Sequence, residues 1–315
     1  MNIASLATYI PPTRVSLDQV VAYRGGAPSE ARTFGQLFGM RQASTLAADE
    51  SAEGCFRALL QQLAESLDDG ETIDAVILVQ GLPARSLRQS VNLPALRQAS
   101  SFIAADAPLL TVNQQNCATL FWGLRLAERL LASGKHRCVA LLTGDTLADF
   151  DLAERYIPGC TMIGDAFAAA LLKPGGGQRR VSGIHCFYHH GFWQGLDGSR
   201  EDTKRFYQAH NALVDQALAS YPEDLRERAW LLPHNINRLS WQTWLRHPDN
   251  QQRAVATDLI SHSGHCYCAD PLLLLDSYAP EDTGRPALLL SVGLGGWVGC
   301  AAITSDVLPE AAHVQ

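Results

Sequence analysis

Apolar positions along the chain follow two rhythms that alternate. Unbroken apolar runs in TIDAVILVQGLP (Thr72–Pro83), CVALLTGD (138–145), TMIGDAFAAALLK (Thr161–Lys173) and PALLLSVG (286–293) read as strands buried on both faces. Between them lie stretches of helical spacing. Ser51–Leu67 repeats apolar residues at Cys55, Leu59, Leu60 and Leu63. After Cys117 come Leu120, Phe121, Leu124, Ala127, Leu130 and Leu131. Gly134 suits a helix C-cap there, and Lys135, His136 and Arg137 place cations at the negative end of the dipole. The stretch Thr111–Asp145 therefore reads as strand, tight turn, helix and strand, with Cys117 in the turn. NIASLATYIPP opens the chain as a strand, and Asn92–Ala104 runs into a short helix.

The only clear linker is PGGGQRR, Pro174–Arg180. After it the order of patterns starts again. VSGIHCFYHHG matches the opening strand, and Thr203–Ala219 matches the helix after Ser51. Ala229–Asn237 matches DAVILVQGLP, and Leu259–Tyr278 matches the loop and helix of Cys117. PALLLSVG matches CVALLTGD, and Gly296–Thr304 matches Met162–Leu172. The expectation is an α/β fold of two similar halves, residues 1–173 and 174–315.

Composition narrows the function classes. The 315 residues are 47% hydrophobic and 18% charged, which suits a globular protein with a large core. The net charge of −7 argues against a nucleic-acid-binding surface. Eight cysteines are scattered through apolar runs without disulfide-scaffold spacing. The N-terminus lacks a basic, apolar signal pattern, and no apolar run reaches the roughly 18 residues of a membrane span. These features predict a soluble, reduced, cytoplasmic protein with no membrane partner.

Three loops carry candidate chemistry. A thiol at the first turn of a helix, as at Cys117, faces unpaired N–H groups and the positive end of the dipole, which stabilise a thiolate nucleophile. His234 follows a buried strand in LLPHNIN, and His265 precedes the helix started by Pro271. All three lie where strands feed helices, where α/β folds place their sites, and they come from both halves. His262, His265, Cys266 and Cys268 offer soft ligands, but four groups within seven residues make a poor tetrahedral zinc site, so no metal is expected. The glycines of SVGLGGWVGCAAIT, Ser291–Thr304, allow a tight hairpin and also a close N–H for an oxyanion.

Five segments, in order, resemble β-ketoacyl-acyl-carrier-protein synthase III and its relatives in the thiolase superfamily. TFGQLFGMRQAS is similar to the stretch near the substrate entrance, and NCATLFWGLRLAERLLASGKHRCVALLTGD to the nucleophile segment. TMIGDAFAAALL, PHNIN and VGLGGWVGCAAI are similar to the family's glycine–aspartate strand, histidine–asparagine motif and C-terminal glycine loop. The resemblance implies a thiolase-like fold of two α/β halves in five αβαβα layers, and a homodimer. It implies Cys117 as nucleophile toward an acyl-coenzyme A or acyl-carrier-protein thioester, His234 as the site histidine and Asn237 as a structural or orienting hydrogen-bonding group. Oxyanion N–H groups would come from Cys117 and Gly295. No tightly bound cofactor is implied; coenzyme A or the phosphopantetheinyl carrier enters as substrate.

One departure stands out. Where the family carries an active asparagine, this chain has SGHCYCAD, so His265 takes that place and Asp270 follows to orient it. A histidine can accept a proton as well as donate one. A Cys-His-His set of this kind resembles a divergent branch of the family, associated with specialised metabolism. The expected reaction is ketosynthase-like acyl transfer through a Cys117 acyl-enzyme with carbon–carbon bond formation, of the fatty acid or polyketide kind. The alternatives are a non-condensing transfer to an oxygen or nitrogen acceptor, a non-catalytic partner subunit, and, last, a hydrolase. Donor-binding candidates are Arg238 and Arg41, with Arg32, Arg200, Lys204 and Arg205 behind them. Phe121, Trp122, Phe187, Phe192 and Trp193 are candidate tunnel residues.

Overall fold

A computed structural model of the chain describes residues 1–175, 179–194 and 198–305. Ten strands join in one hydrogen-bonded sheet. In chain order we number them β1 (Asn2–Tyr9), β2 (Ala75–Val79), β3 (Leu109–Val112), β4 (Val139–Asp145) and β5 (Ala166–Lys173). The second set is β6 (Arg180–Tyr188), β7 (Trp230–Pro233), β8 (Ala254–Val255), β9 (Ala287–Gly293) and β10 (Trp297–Thr304). The order across the sheet is β8-β7-β9-β10-β6-β1-β5-β4-β2-β3. Read outward from the centre, each strand of the first set has a counterpart five numbers on. Parallel and antiparallel pairings repeat as well: β2 is parallel to β3 and β4, and β7 to β8 and β9. The internal duplication expected from pattern order is present in the topology.

Six helices cover these strands: α1 (Ala52–Ala64), α2 (Leu93–Gln98), α3 (Thr119–Ala132), α4 (Arg200–Leu218), α5 (Arg238–Leu245) and α6 (Asp270–Ser277). Alternation along each central strand sorts the layers. Val139 and Leu141 of β4, with Ala287 and Leu289 of β9, share a core with Leu120 and Leu124 of α3 and Leu272 and Leu275 of α6. Ala140 and Leu142 face the other way, onto α1 and α2. Leu288 and Leu290 face α4 and α5 through Leu213, Val214, Trp241 and Trp244. Helix, sheet, helix, sheet, helix is the result, the five-layered arrangement of the thiolase-like fold. The two sheet halves pack face to face across α3 and α6. They also hydrogen-bond edge to edge where β1 meets β6, at the pair Asn2 and Arg180.

Local differences have local causes. The helix expected from Thr203 begins at Arg200, because Ser199 and Asp202 form a capping box. The run Thr161–Lys173 is interrupted around Gly164–Asp165, where the Gly-Asp pair leads one to expect a bend, with a short strand Thr161–Met162 paired to Tyr156–Ile157 before β5. At two residues, β8 is too short to show any period. Residues 176–178 of the expected linker lie outside the described residues. No helix of the described residues is long and apolar enough to cross a membrane.

Gly123 tests the packing of α3 on the sheet. A Cβ there would sit 2.4 Å from Val79 Cγ2 of β2. Alanine favours a helix over glycine by about 1 kcal/mol, yet overpacking costs about 1–3 kcal/mol. Gly123→Ala is expected to lower stability by about 1–2 kcal/mol, read as a lower urea midpoint at unchanged slope. An equal or higher midpoint would show that the contact yields.

Candidate active site

Two equivalent turns meet at the junction of the halves. In the first, the chain leaves β3, passes Gln114 (φ 77°) and Asn116 (φ 52°), and makes a 3-10 turn at Asn116–Ala118 that feeds α3. In the second it leaves β8, passes Tyr267 (φ 49°), and turns at Tyr267–Ala269 into α6. Non-glycine residues rarely hold this left-handed conformation, and its recurrence in both turns marks them as counterparts. By this equivalence Cys117 matches Cys268, and His265 stands just before the second turn.

The His265 loop is held by main-chain contacts. The His265 N–H donates to Met162 O at 2.8 Å, and its carbonyl accepts from Gly164 N at 3.0 Å. A Cβ on Gly164 would lie 1.8 Å from Ser263 O, so only glycine allows this approach. Asp165 beside it is wholly buried, takes both guanidinium nitrogens of Arg155 at 2.9 Å, and accepts from Leu46 N and Leu147 N at 2.9 Å. Arg155 was invisible in the sequence, since nothing local marks it as a buried partner.

The site itself is a line of three groups. Cys117 Sγ lies 3.1 Å from His265 Nε2, and His265 Nδ1 lies 2.6 Å from Asp270 Oδ2. Asp270, the first residue of α6, is wholly buried and also accepts from Asn235 N (2.7 Å), Asn235 Nδ2 (3.1 Å) and Cys266 N (2.9 Å). The Cys117 thiol is also 2.9 Å from Asn116 Oδ1. Burial alone would lower the pKa of His265. The charge on the Cys117 sulfur, then that on Asp270, outweighs burial and raises it from 6.5 to about 10.

His234 behaves differently. It follows β7, its N–H donates to Leu290 O at 2.9 Å, and its ring centroid is 6.0 Å from that of His265. Burial, then the neighbouring His210 and His265, pushes its pKa well below 6.5. The structure thus brings Cys117, His265 and Asp270 into hydrogen-bond contact and sets the His234 ring edge-on beside that of His265. Asn237 caps α5 through Ser240 N and donates from Nδ2 to Cys160 O at 2.9 Å; its hydrogen bonds go to neither Cys117 nor a histidine. Gly295 (φ 111°) sits in the β9–β10 hairpin, and Gly293 of the same hairpin lies against the Cys117 turn, its Cβ position 2.8 Å from Gln115 O.

A cavity of about 30 Å³ adjoins Cys117 and His265, walled by Ile157, Cys160, Phe206 and Tyr207 among others. None of the five expected aromatics lines it. Phe121 is wholly buried in the core between the sheets, and Trp193 is 71% exposed. Phe206 and Tyr207 lie on α4, whose sequence gave a helix but not which face meets the site. Tyr207 also borders an open cleft of about 730 Å³ with Arg200 and Lys204. Arg32, Arg41 and Arg238 line a second open cleft of about 710 Å³ with His262. Arg205 pairs with Asp202. The candidate zinc ligands diverge: His265 faces Cys117, Cys268 Sγ donates to Asn116 O, and Cys266 Sγ turns to Ser263 O. Among the described residues no three His, Cys, Asp or Glu converge on a metal site.

Comparison with known proteins places the chain by sequence and by fold. The family model for 3-oxoacyl-[acyl-carrier-protein] synthase III matches residues 113–188, the span from the Cys117 turn through β6. The β-ketoacyl-[acyl-carrier-protein] synthase III of Xylella fastidiosa (strain Temecula1) is 25% identical over 204 residues, 57% of this chain and 61% of that protein. That of Acidiphilium cryptum is 24% identical over 282 residues, 82% of this chain and 85% of its own. This chain is synthase III-like. In fold it superposes on the 3-oxoacyl-(acyl-carrier protein) synthase of Burkholderia xenovorans LB400 with a TM-score of 0.76, at 18% identity, over 97% of this chain and 94% of that one. The Xylella match spans only about three fifths of that synthase's length.

The His265 pKa gives a pH test. Its folded value lies above the ordinary one, so its contribution to stability is complete below pH 6.5 and is lost as pH rises through about 10. His265→Asn is expected to remove part of the alkaline loss of stability, read from urea midpoints across that window. Parallel wild-type and variant curves would mean that His265 carries no raised pKa.

Proposed function

We propose that this synthase III-like chain transfers an acyl group from a coenzyme A or carrier-protein thioester to an oxygen or nitrogen acceptor, through an acyl-enzyme on Cys117. The observation that carries this reading is the placement of His265 between Cys117 Sγ at 3.1 Å and Asp270 Oδ2 at 2.6 Å. The Cys117 thiolate attacks the thioester carbonyl, and backbone N–H groups around the Cys117 turn and the glycine hairpin hold the oxyanion. The carbon–sulfur bond to the donor breaks, and the donor thiolate leaves with the proton of the His265 imidazolium. His265 is then neutral. Asp270 keeps the remaining proton on Nδ1, so Nε2 presents a lone pair beside the acyl thioester. An alcohol or amine loses its proton to that lone pair as it attacks, and Cys117 leaves as thiolate, restoring the starting pair.

A second reading is the carbon–carbon bond formation expected from the sequence. His234 supports it, since a neutral buried imidazole beside His265 can offer an N–H to an enolate oxygen. Condensation needs N–H donors facing that oxygen, whereas Asp270 leaves His265 Nε2 an acceptor once the acyl group is loaded, and this favours transfer. The donor arm would enter past Tyr207 from the cleft of Arg200 and Lys204, where cations suit its phosphates or an acidic carrier.

Intact-protein mass spectrometry tests the proposal. Incubation with a panel of acyl-coenzyme A thioesters, or acyl carrier protein, should add one acyl mass to wild type and none to Cys117→Ala. Small alcohols or amines should then discharge it, about 100-fold more slowly in His265→Asn. Discharge by malonyl thioester alone would replace transfer with condensation. Failure of every donor to load wild type would defeat both and favour a non-catalytic subunit.

A further inference from the structure

Next to His265 lies a second cluster, of which His234 alone has been given a part, as a neutral N–H donor. His210 on α4, His234 after β7 and Trp241 on α5 are 3%, 0% and 1% exposed. Their ring centroids form a closed triangle with sides of 5.5, 5.4 and 5.7 Å. Four ring nitrogens, namely His210 Nε2, Trp241 Nε1 and both of His234, have no hydrogen-bond partner among the described residues. An unmade hydrogen bond costs about 1–3 kcal/mol per buried group, and native proteins relieve such groups with ordered water making about three bonds.

The donor and acceptor count fits one water. The Trp241 indole can only donate. His210 Nδ1 lies 3.4 Å from Asn211 Oδ1, which can only accept from it, so the proton of a neutral His210 belongs on Nδ1 and its Nε2 is an acceptor. A water that receives the Trp241 N–H has two protons to give, one for His210 Nε2 and one for a His234 nitrogen. His234 must then carry its own proton on the opposite nitrogen. Burial lowers His210 to about 4 and holds His234 well below 6.5, so both rings are neutral near pH 7, as this count requires.

We propose that His210, His234 and Trp241 enclose one bound water, and that His210 and Trp241 act through it as positioning residues that fix the tautomer of His234. The groups against the His234 ring are His210 from α4, Trp241 from α5 and His265 from the facing loop. A single tautomer gives His234 a fixed N–H beside His265 instead of a mixture. That consequence for acyl discharge rests on the acyl-transfer reading; the tautomer itself does not.

The test uses the full chain labelled with ¹⁵N-histidine, in long-range ¹H–¹⁵N spectra near neutral pH. Wild type should show His210 protonated on Nδ1 and His234 as one neutral tautomer. His210→Phe removes an acceptor and Trp241→Phe the donor, and in each His234 should become a mixture of tautomers. His210→Gln, whose amide carbonyl can accept from the water, should restore the single tautomer. Discharge of acylated Cys117 should slow about tenfold in the Phe variants, more than acylation does, and return to within about threefold of wild type with Gln. An unchanged His234 tautomer in both Phe variants, or a Gln variant as impaired as Phe, overturns the inference. If His210→Phe does not fold, Trp241→Phe against His210→Gln decides it. If wild type takes up no acyl group, the acyl-transfer reading fails while the spectra still judge the tautomer.

Discussion

The carboxylate of Asp270 is the constraint around which the site is arranged. It is wholly buried and accepts from the His265 ring, the Cys266 N–H and both the main chain and side chain of Asn235. A buried carboxylate is tolerable only when its lone pairs are so taken. Those same bonds tie the loop after β7 to the loop before α6, and they orient the imidazole that reaches Cys117. The N-terminus of α6 adds a favourable dipole to the same carboxylate. Removing Asp270 would therefore disturb two loops and one tautomer together.

Two neighbouring histidines are held in opposite protonation states by their surroundings. His265 sees two negative groups and binds its proton tightly. His234 is buried against His210, Trp241 and His265, and stays neutral. Environments that push like groups apart are how one site obtains both an acid and a neutral hydrogen-bond donor. The acyl-transfer proposal draws on the first histidine, and the tautomer proposal concerns the second.

The duplication explains why these groups meet. Both halves end a strand, pass a left-handed residue and turn into a buried helix, and α3 and α6 share the central core. The two turns thus face each other. The first keeps a thiol beside the cavity. The second buries its matching Cys268, whose thiol donates to the carbonyl of Asn116, and presents His265 from the preceding loop. Equivalent backbones have been given unequal side chains.

Periodicity determined the buried strands, the helices and their repeated order in two halves, because burial on one or two faces imposes the pattern, while the five layers came from the family resemblance. The Cys117 turn, the His265 loop and Asp270 as its partner were legible too, since strand ends feeding helices are where such chemistry sits. The tertiary structure decided everything that depends on packing across layers. It alone showed that Gly293 of the same hairpin touches the Cys117 turn, that Asn237 caps a helix, and that Phe121 belongs to the core. Cys160, Phe206 and Tyr207 at the cavity, Arg155 on Asp165, and His210 with Trp241 behind His234 gave no local signal. Their roles arise from neighbours far away in the chain, and a sequence pattern records which face of an element is apolar, not which distant group that face will meet.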